Sequence, residues 1–149
     1  MHAFTSSLYH CVWSTKGRQP VLTPETLSRL WPYLGGIARA NKMAALAIGG
    51  VADHVHILLS LPTTLTLSKA IQILKGNSSK WLHEDFPELR LFAWQEGYGA
   101  FTIGMSGVDD TKNYIATQVE HHRKKTFQEE FRSFLDKHGL PYDDATLWD

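Results

Sequence analysis

The stretch that most constrains this chain is Val51-Ala52-Asp53-His54-Val55-His56-Ile57-Leu58-Leu59. Its apolar, β-branched run follows Gly49-Gly50 and reads as a buried strand entered through a turn. Side chains alternate faces along a strand, so His54 and His56 point one way while Val55 and Ile57 point the other. The two imidazoles stand about 7 Å apart along the strand, near enough to converge on one metal ion. The same pattern also describes two polar residues on the wet face of a half-buried strand. The strand alone does not decide between them.

Around it, the sequence sets out alternating elements. Phe4 to Trp13 is aromatic and β-branched and reads as a first strand. Lys16-Gly17-Arg18-Gln19-Pro20 turns the chain. Thr23-Pro24-Glu25 opens a helix with an N-cap followed by proline at the first helical position. Leu27, Leu30, Trp31, Leu34 and Ile37 form its apolar stripe. Pro32 should kink or split it, and Gly35-Gly36 should weaken it further. Ala44 to Ile48 is a short strand leading into the histidine strand. Thr66 caps a helix reaching about Trp81 or His83, with Leu67, Ile71, Leu74, Ser78, Trp81 and Leu82 on one face.

Leu91 to Trp94 and Tyr98 to Ile103 read as strand material interrupted at Gln95-Glu96-Gly97. Ser106 and Asp109 have capping-box spacing for a third helix. A further helix, about Phe127 to His138, carries Phe127, Phe131, Phe134 and Leu135, and the aromatic tail to Trp148 should pack back on the body. The order β-α-β-β-α-β, then α, is that of an α+β, ferredoxin-like (RRM-like) antiparallel sheet with helices on one face plus C-terminal helices. We read residues 1–149 as a single domain, with a core of about 1–122 and a C-terminal helical extension of about 123–149.

Composition narrows the function. The 149 residues are 43% hydrophobic and 20% charged, as in a folded globular chain. Fifteen Lys and Arg balance fifteen Asp and Glu, so any nucleic-acid binding must come from local patches. Lys75-Gly76-Asn77-Ser78-Ser79-Lys80 is such a patch, basic and hydroxyl-rich beside Trp81, although a solvated helix face has the same composition. The single Cys11 forms no internal disulfide and suits a reducing cytoplasm. No signal pattern or bilayer-length apolar run is visible, so we expect a cytosolic protein with no membrane association.

On the third helix Tyr114 and Gln118 lie four residues apart, one above the other, and His121 extends their stripe. Ile115, Val119 and His122 form the neighbouring stripe expected to meet the sheet, which would leave Tyr114 and Gln118 at its border. A border tyrosine can simply pack. Its phenol can also act as a nucleophile in phosphoryl transfer, and an amide oxygen can complete a two-histidine metal site. Asp53 can orient a histidine ligand or cap a turn.

Asp53-His54-Val55-His56 followed by Tyr114-x-x-x-Gln118 resembles the HUH-superfamily single-tyrosine transposases. These serve small bacterial insertion sequences that move as single-stranded DNA, and include the repeat-associated tyrosine transposases. The likeness extends through Tyr9 to Lys16, Lys75 to Trp81, Trp94 to Tyr98 and Tyr114 to Gln118. Three features depart from it: Ala52 where a proline often stands, Pro32 in the first helix, and the neutral net charge. The resemblance implies His54, His56 and Gln118 as ligands of one divalent ion, Mg2+ or Mn2+, and Tyr114 as the nucleophile. It implies cleavage and rejoining of hairpin-bearing single-stranded DNA through a 5′-phosphotyrosine link, in a bacterial homodimer that is nucleoid-associated when acting. Asp53 and His121 become candidates for supporting the ligands. Lys16, Arg18, Lys75, Asn77, Ser79 and Lys80 become candidates for DNA contacts, and His122 reads as structural. The alternatives are a non-catalytic, domesticated single-strand-binding module on the same fold and a metal hydrolase in which Tyr114 only packs.

Overall fold

The structure is a computed structural model and describes residues 2–148. Met1 and Asp149, the two ends of the expected 1–149 span, lie outside the described residues. Four strands, β1 (Leu8–Ser14), β2 (Ala44–Val51), β3 (His54–Ser60) and β4 (Gly99–Thr102), form an antiparallel sheet in the order β2-β3-β1-β4. Helices α1 (Pro24–Ala40) and α2 (Leu67–Asp85) connect them as the ferredoxin-like order requires, and α3 (Val108–Ala116), α4 (Gln118–His121) and α5 (Phe127–Lys137) follow.

The strand pleat sorts two cores. Cys11, Trp13, Val55, Ile57 and Leu59 face α1 and α2 and bury against Leu30, Leu34, Ile37, Ile71, Leu74 and Leu82. Each such side chain contributes about 1.5–3 kcal/mol through burial. Leu8 and Leu58 turn to the opposite face with Val108 and Ile115, while Val12 and Phe101 meet Phe127 and Leu135 there. His10, His54 and His56 lie on that second face, under the C-terminal helices. Ser78 sits in the apolar stripe of α2 because its hydroxyl donates to the Leu74 carbonyl at 2.6 Å and accepts from the Trp94 indole at 3.0 Å.

Several local expectations are corrected. β1 begins at Leu8 rather than Phe4, because its partner β3 ends there (Leu8 opposite Ser60) and Pro62 follows. Pro32 does not split α1, which runs unbroken to Ala40. Both Pro32 and Ser28 are exposed, so the Ser28 carbonyl freed by the proline faces water and costs little. Leu91 to Trp94 forms no strand. Only Trp94 bridges to Thr15, and Phe92 and Trp94 plug the core edge-on, with ring centroids 4.8 Å apart. Ser106 lies inside a 3-10 turn, and α3 starts from Gly107 without a side-chain cap. The capping box belongs to α5, between Thr126 and Glu129.

Gly49-Gly50 is not the turn before β3. Both residues lie within β2, and the turn is Ala52-Asp53, where Leu22 N–H and Thr15 N–H donate to the Ala52 and Asp53 carbonyls at 3.0 and 2.9 Å. The glycine at 49 has a packing cause: a Cβ there would stand 2.4 Å from the backbone oxygen of Ile115. The glycine therefore lets α3 lie against the sheet one residue from Tyr114. Gly49→Ala should cost about 1–3 kcal/mol in denaturant unfolding. An unchanged midpoint would show that α3 is free to shift.

Candidate metal and tyrosine centre

Three histidines present the same ring edge to one point. His54 Nδ1–H donates to Asp53 Oδ1 at 2.6 Å, and His122 Nδ1–H donates to the Lys125 carbonyl at 2.7 Å. His56 Nδ1 pairs with His10 Nε2 at 2.8 Å. With each Nδ1 engaged outward, all three Nε2 atoms turn inward. They meet the carboxylate of Glu130 from α5: Oε1 lies 3.0 Å from His56 Nε2 and 3.5 Å from His54 Nε2, and Oε2 lies 3.3 Å from His122 Nε2. Gln118 Oε1 closes the other side, 3.2 Å from His54 Nε2 and 3.0 Å from His122 Nε2. One ligand atom from each of His54, His56, His122 and Glu130 lies within 4.8 Å of every other.

Tyr114 joins this cluster through its hydroxyl, which donates to Glu130 Oε2. A cleft of about 380 Å³ opens beside it, lined by His10, Asp110, Lys125, Glu130 and Lys137 among others. Burial and the adjacent Glu130 carboxylate both raise the phenol's pKa, so the ring is held as a neutral phenol. Burial alone would raise the Glu130 carboxyl, but hydrogen bonds from His122, His54 and His56 outweigh it and hold the group far below the usual carboxylate range. For His54, burial is outweighed by its hydrogen bonds to Asp53 and Glu130, and the pKa rises to about 9. Burial dominates at His56 and His10, lowering them to about 4 and about 3.

The structure brings His54, His56, Tyr114 and Gln118 together, with Asp53 behind His54. It places other expected residues differently. Gln118 is fully buried and Val119 exposed, the reverse of the expected border, because the helix breaks at Thr117 (φ −109°, ψ 27°). The break lets the Gln118 amide turn inward, where its Nε2 also donates to the Tyr114 carbonyl at 3.2 Å. His122 is part of the cluster rather than packing at the sheet. His121 stays outside it, stacked on the Tyr114 ring with centroids 4.5 Å apart and its Nε2 3.0 Å from Thr117 Oγ1.

Of the expected DNA contacts, Lys75 is half-buried and its ammonium donates to the Gln95 and Gly97 carbonyls. Burial lowers its pKa to about 8. Asn77 is exposed and donates back to the Ile73 carbonyl at 3.1 Å, Ser79 is half-buried, and Lys80 and Lys16 are exposed. The Arg18 guanidinium lies 5.2 Å from the centre of the Trp148 ring, against the aromatic tail.

Glu130, His122 and His10 were missed as site residues. Glu130 carried a signal: with Phe127 and Phe134 it has i, i+3, i+7 spacing, an acid in an apolar row. His10 alternates with Leu8 and Val12, which puts it on the same face as His56.

The sequence profile of the family described as "Transposase IS200 like" matches residues 3–118. The ISDra2 transposase TnpA of Deinococcus radiodurans is 29% identical over 115 residues, covering 74% of this chain and 82% of that protein. The transposase for insertion sequence element IS200 of Salmonella typhimurium is 28% identical over 124 residues, covering 80% and 81%. A crystal structure of a proposed transposase from Deinococcus radiodurans r1 superposes with a TM-score of 0.66 at 27% identity, over 79% of this chain and 95% of that one. A REP-associated tyrosine transposase bound to a REP hairpin shares the fold, with a TM-score of 0.61 at 14% identity, over 82% and 72%.

The shifts give the metal-free protein a stability maximum near neutrality. His54, raised from 6.5 to about 9, contributes stability that is full below pH 6.5 and lost as pH rises through about 9. His56 and His10, lowered to about 4 and 3, contribute stability present above pH 6.5 and lost as pH falls through those values. In chelator, the melting temperature should peak near pH 6.5–7 and fall on both sides. The alkaline decline should vanish in His54→Gln. A melting temperature that climbs steadily to pH 9 would refute this account.

Proposed function

Because the chain belongs to the IS200-like transposase family, we propose that it cleaves and rejoins single-stranded DNA through Tyr114. The carrying observation is that Tyr114, His54, His56 and Gln118, drawn from β3, α3 and α4, converge beside one cleft. The Tyr114 phenol oxygen attacks the scissile phosphorus in line, and the bond from phosphorus to the 3′ oxygen breaks. The DNA is left as a 5′-phosphotyrosine, and the departing oxygen takes up a proton to become a 3′-hydroxyl. The phenol's own proton has Glu130 Oε2 beside it as acceptor. Attack by another 3′-hydroxyl on the phosphotyrosine reverses the step and rejoins the strands, so no external energy source is required.

The donor set fits a divalent cation. Imidazole nitrogens, an amide oxygen and a carboxylate face one another in a buried site where no Lys or Arg pairs with Glu130 among the described residues. His54, His56 and Gln118 would hold the ion, which the likeness to single-tyrosine transposases makes Mg2+ or Mn2+. When bound it would polarise the phosphate and offset charge on the leaving oxygen. Asp53 fixes the His54 ring from behind, while His121 braces the Tyr114 ring.

Hairpin-bearing single-stranded DNA is the proposed substrate, in keeping with the hairpin held by the REP-associated relative. Lys125 and Lys137 at the cleft are better placed for its backbone than Lys75, whose charge is already engaged. Lys16, Lys80, Asn77 and Ser79 remain candidates for more distant contacts, and Arg18 would first have to leave Trp148. The sheet leaves β2 and β4 as edges, either of which could pair two copies into a homodimer. Among the described residues no helix is long and apolar enough to cross a membrane, and we place the protein in the bacterial cytoplasm, on DNA when it acts. In this reading residues 1–122 form the catalytic core, and the extension of 123–149 supplies Glu130.

The test mixes wild type and Tyr114→Phe with labelled hairpin-bearing single strands and a divalent ion, on denaturing gels with peptide mass spectrometry. A denaturation-resistant adduct mapped to Tyr114 and absent from the variant is expected. Cleavage without an adduct would instead favour a hydrolase. Binding without cleavage across a broad oligonucleotide pool would favour a non-catalytic module.

A further inference from the structure

Phe127 and Phe131 of α5 border a second cleft, of about 190 Å³, separate from the one beside Tyr114. The loop 95–98 before β4 and Trp148 of the tail supply its other walls. The rings of Phe127, Phe131 and Trp148 stand 5.8–6.2 Å apart between centroids at angles of 35–60°, so no two of them stack. Rings that do not stack on one another leave π-faces for a flat guest. Tyr98, 38% exposed, adds a fourth ring at the rim.

The walls are fixed from outside the cleft. The Lys75 ammonium donates to the Gln95 and Gly97 carbonyls and ties the loop to α2. A Cβ on Gly99 would stand 2.6 Å from Phe131 Cε1, so the glycine lets that ring settle against β4. Gln95 Oε1 accepts from the Ser14 N–H at 2.6 Å, which leaves its amide N–H groups as donors. Glu96 adds a carboxylate acceptor to the same wall. A cleft of this size holds one flat ring system, not a base pair.

Charge decides between two kinds of guest. An aromatic box can take an organic cation, but the guanidiniums of Arg18 and Arg132 already lie 5.2 and 5.5 Å from the centre of the Trp148 ring. That positive field opposes a cationic guest and favours a neutral ring carried on an anionic backbone. Phe127 also sets the cleft beside the candidate centre, its ring 4.7 Å from that of His54. A strand with a phosphate at Tyr114 would have a neighbouring unpaired base within reach.

We infer that this cleft is a stacking slot for one unpaired nucleobase of single-stranded DNA, with Trp148 as its main platform. The inference rests on the reading of the chain as an enzyme of single-stranded DNA. The loop lies within residues 3–118, which match the family profile, whereas Phe127, Phe131 and Trp148 lie beyond it. The extension thus adds a base contact from outside the profile.

The test uses the full chain as wild type, Trp148→Ala and Trp148→Phe, with melting temperatures recorded for each. The probes are hairpin-bearing single strands whose flank is deoxyadenosine, abasic deoxyribose, or deoxyadenosine with one 5-iodouracil for photocrosslinking. Wild type should bind the deoxyadenosine flank about tenfold or more tighter than the abasic one. Trp148→Ala should lose most of that difference while binding the abasic probe unchanged, and Trp148→Phe should restore part of it. Crosslinks in wild type should map by peptide mass spectrometry to Trp148, Tyr98 or Phe131. An abasic penalty equal in wild type and Trp148→Ala would overturn the inference, as would crosslinks that all fall elsewhere, a result that needs no variant to fold. DNA adducts of Tyr114 are scored in the same preparations. Adducts without the Trp148-dependent base effect would keep the transferase reading and remove the slot. The base effect without adducts would keep the slot and count against the transferase, and failure to bind any single strand would remove both.

Discussion

The structure depends on a carboxylate buried among imidazoles. An unpaired carboxylate in the interior would cost several kcal/mol, so the fold must deliver compensating groups to Glu130 from several directions at once. It does so with His54 and His56 from the pleat of β3, His122 from the turn after α4, and the Tyr114 hydroxyl from α3. Remove any one direction and the charge is under-compensated. This interaction joins the C-terminal helix to the sheet. The apolar contacts of Phe127 and Leu135 with Val12 and Phe101 add surface, but they do not fix where the carboxylate sits.

Two backbone details make that convergence possible. Gly49 removes the side chain that would hold α3 away from β2, bringing Ile115 and hence Tyr114 down onto the sheet. The break at Thr117 then rotates the chain, so that Gln118 turns inward and Val119 outward. An unbroken helix would have kept Gln118 at the border. The break thus exchanges one turn of regular hydrogen bonding for an amide inside the histidine cluster, held by its own bond to the Tyr114 carbonyl.

The electrostatics hold Tyr114 as a neutral phenol. Burial and the neighbouring Glu130 carboxylate both keep the proton on the phenol, because a second negative charge there is unfavourable. The histidine–carboxylate cluster and the Tyr114 hydroxyl are therefore one electrostatic unit. The chain's balanced net charge leaves the local field to individual side chains, and at the cleft beside Tyr114 these include Lys125 and Lys137.

Sequence alone determined what is local and periodic. The two-residue period put His54 and His56 on one face, the four-residue spacing linked Tyr114 to Gln118, and N-caps at Thr23 and Thr66 opened α1 and α2 where expected. The order of elements specified the ferredoxin-like sheet, because few topologies accommodate it. What sequence left undecided is what depends on distant segments meeting. Glu130 lies 74 residues from His56, and its position in an apolar stripe says only that it is buried, not beside what. Whether Gly49 is a turn or a docking notch depends on what lies across from it, and Pro32 breaks a helix only where the freed carbonyl cannot reach water. The tertiary structure decided these, because hydrogen-bond satisfaction and charge burial are properties of a three-dimensional neighbourhood, while periodicity is a property of the chain.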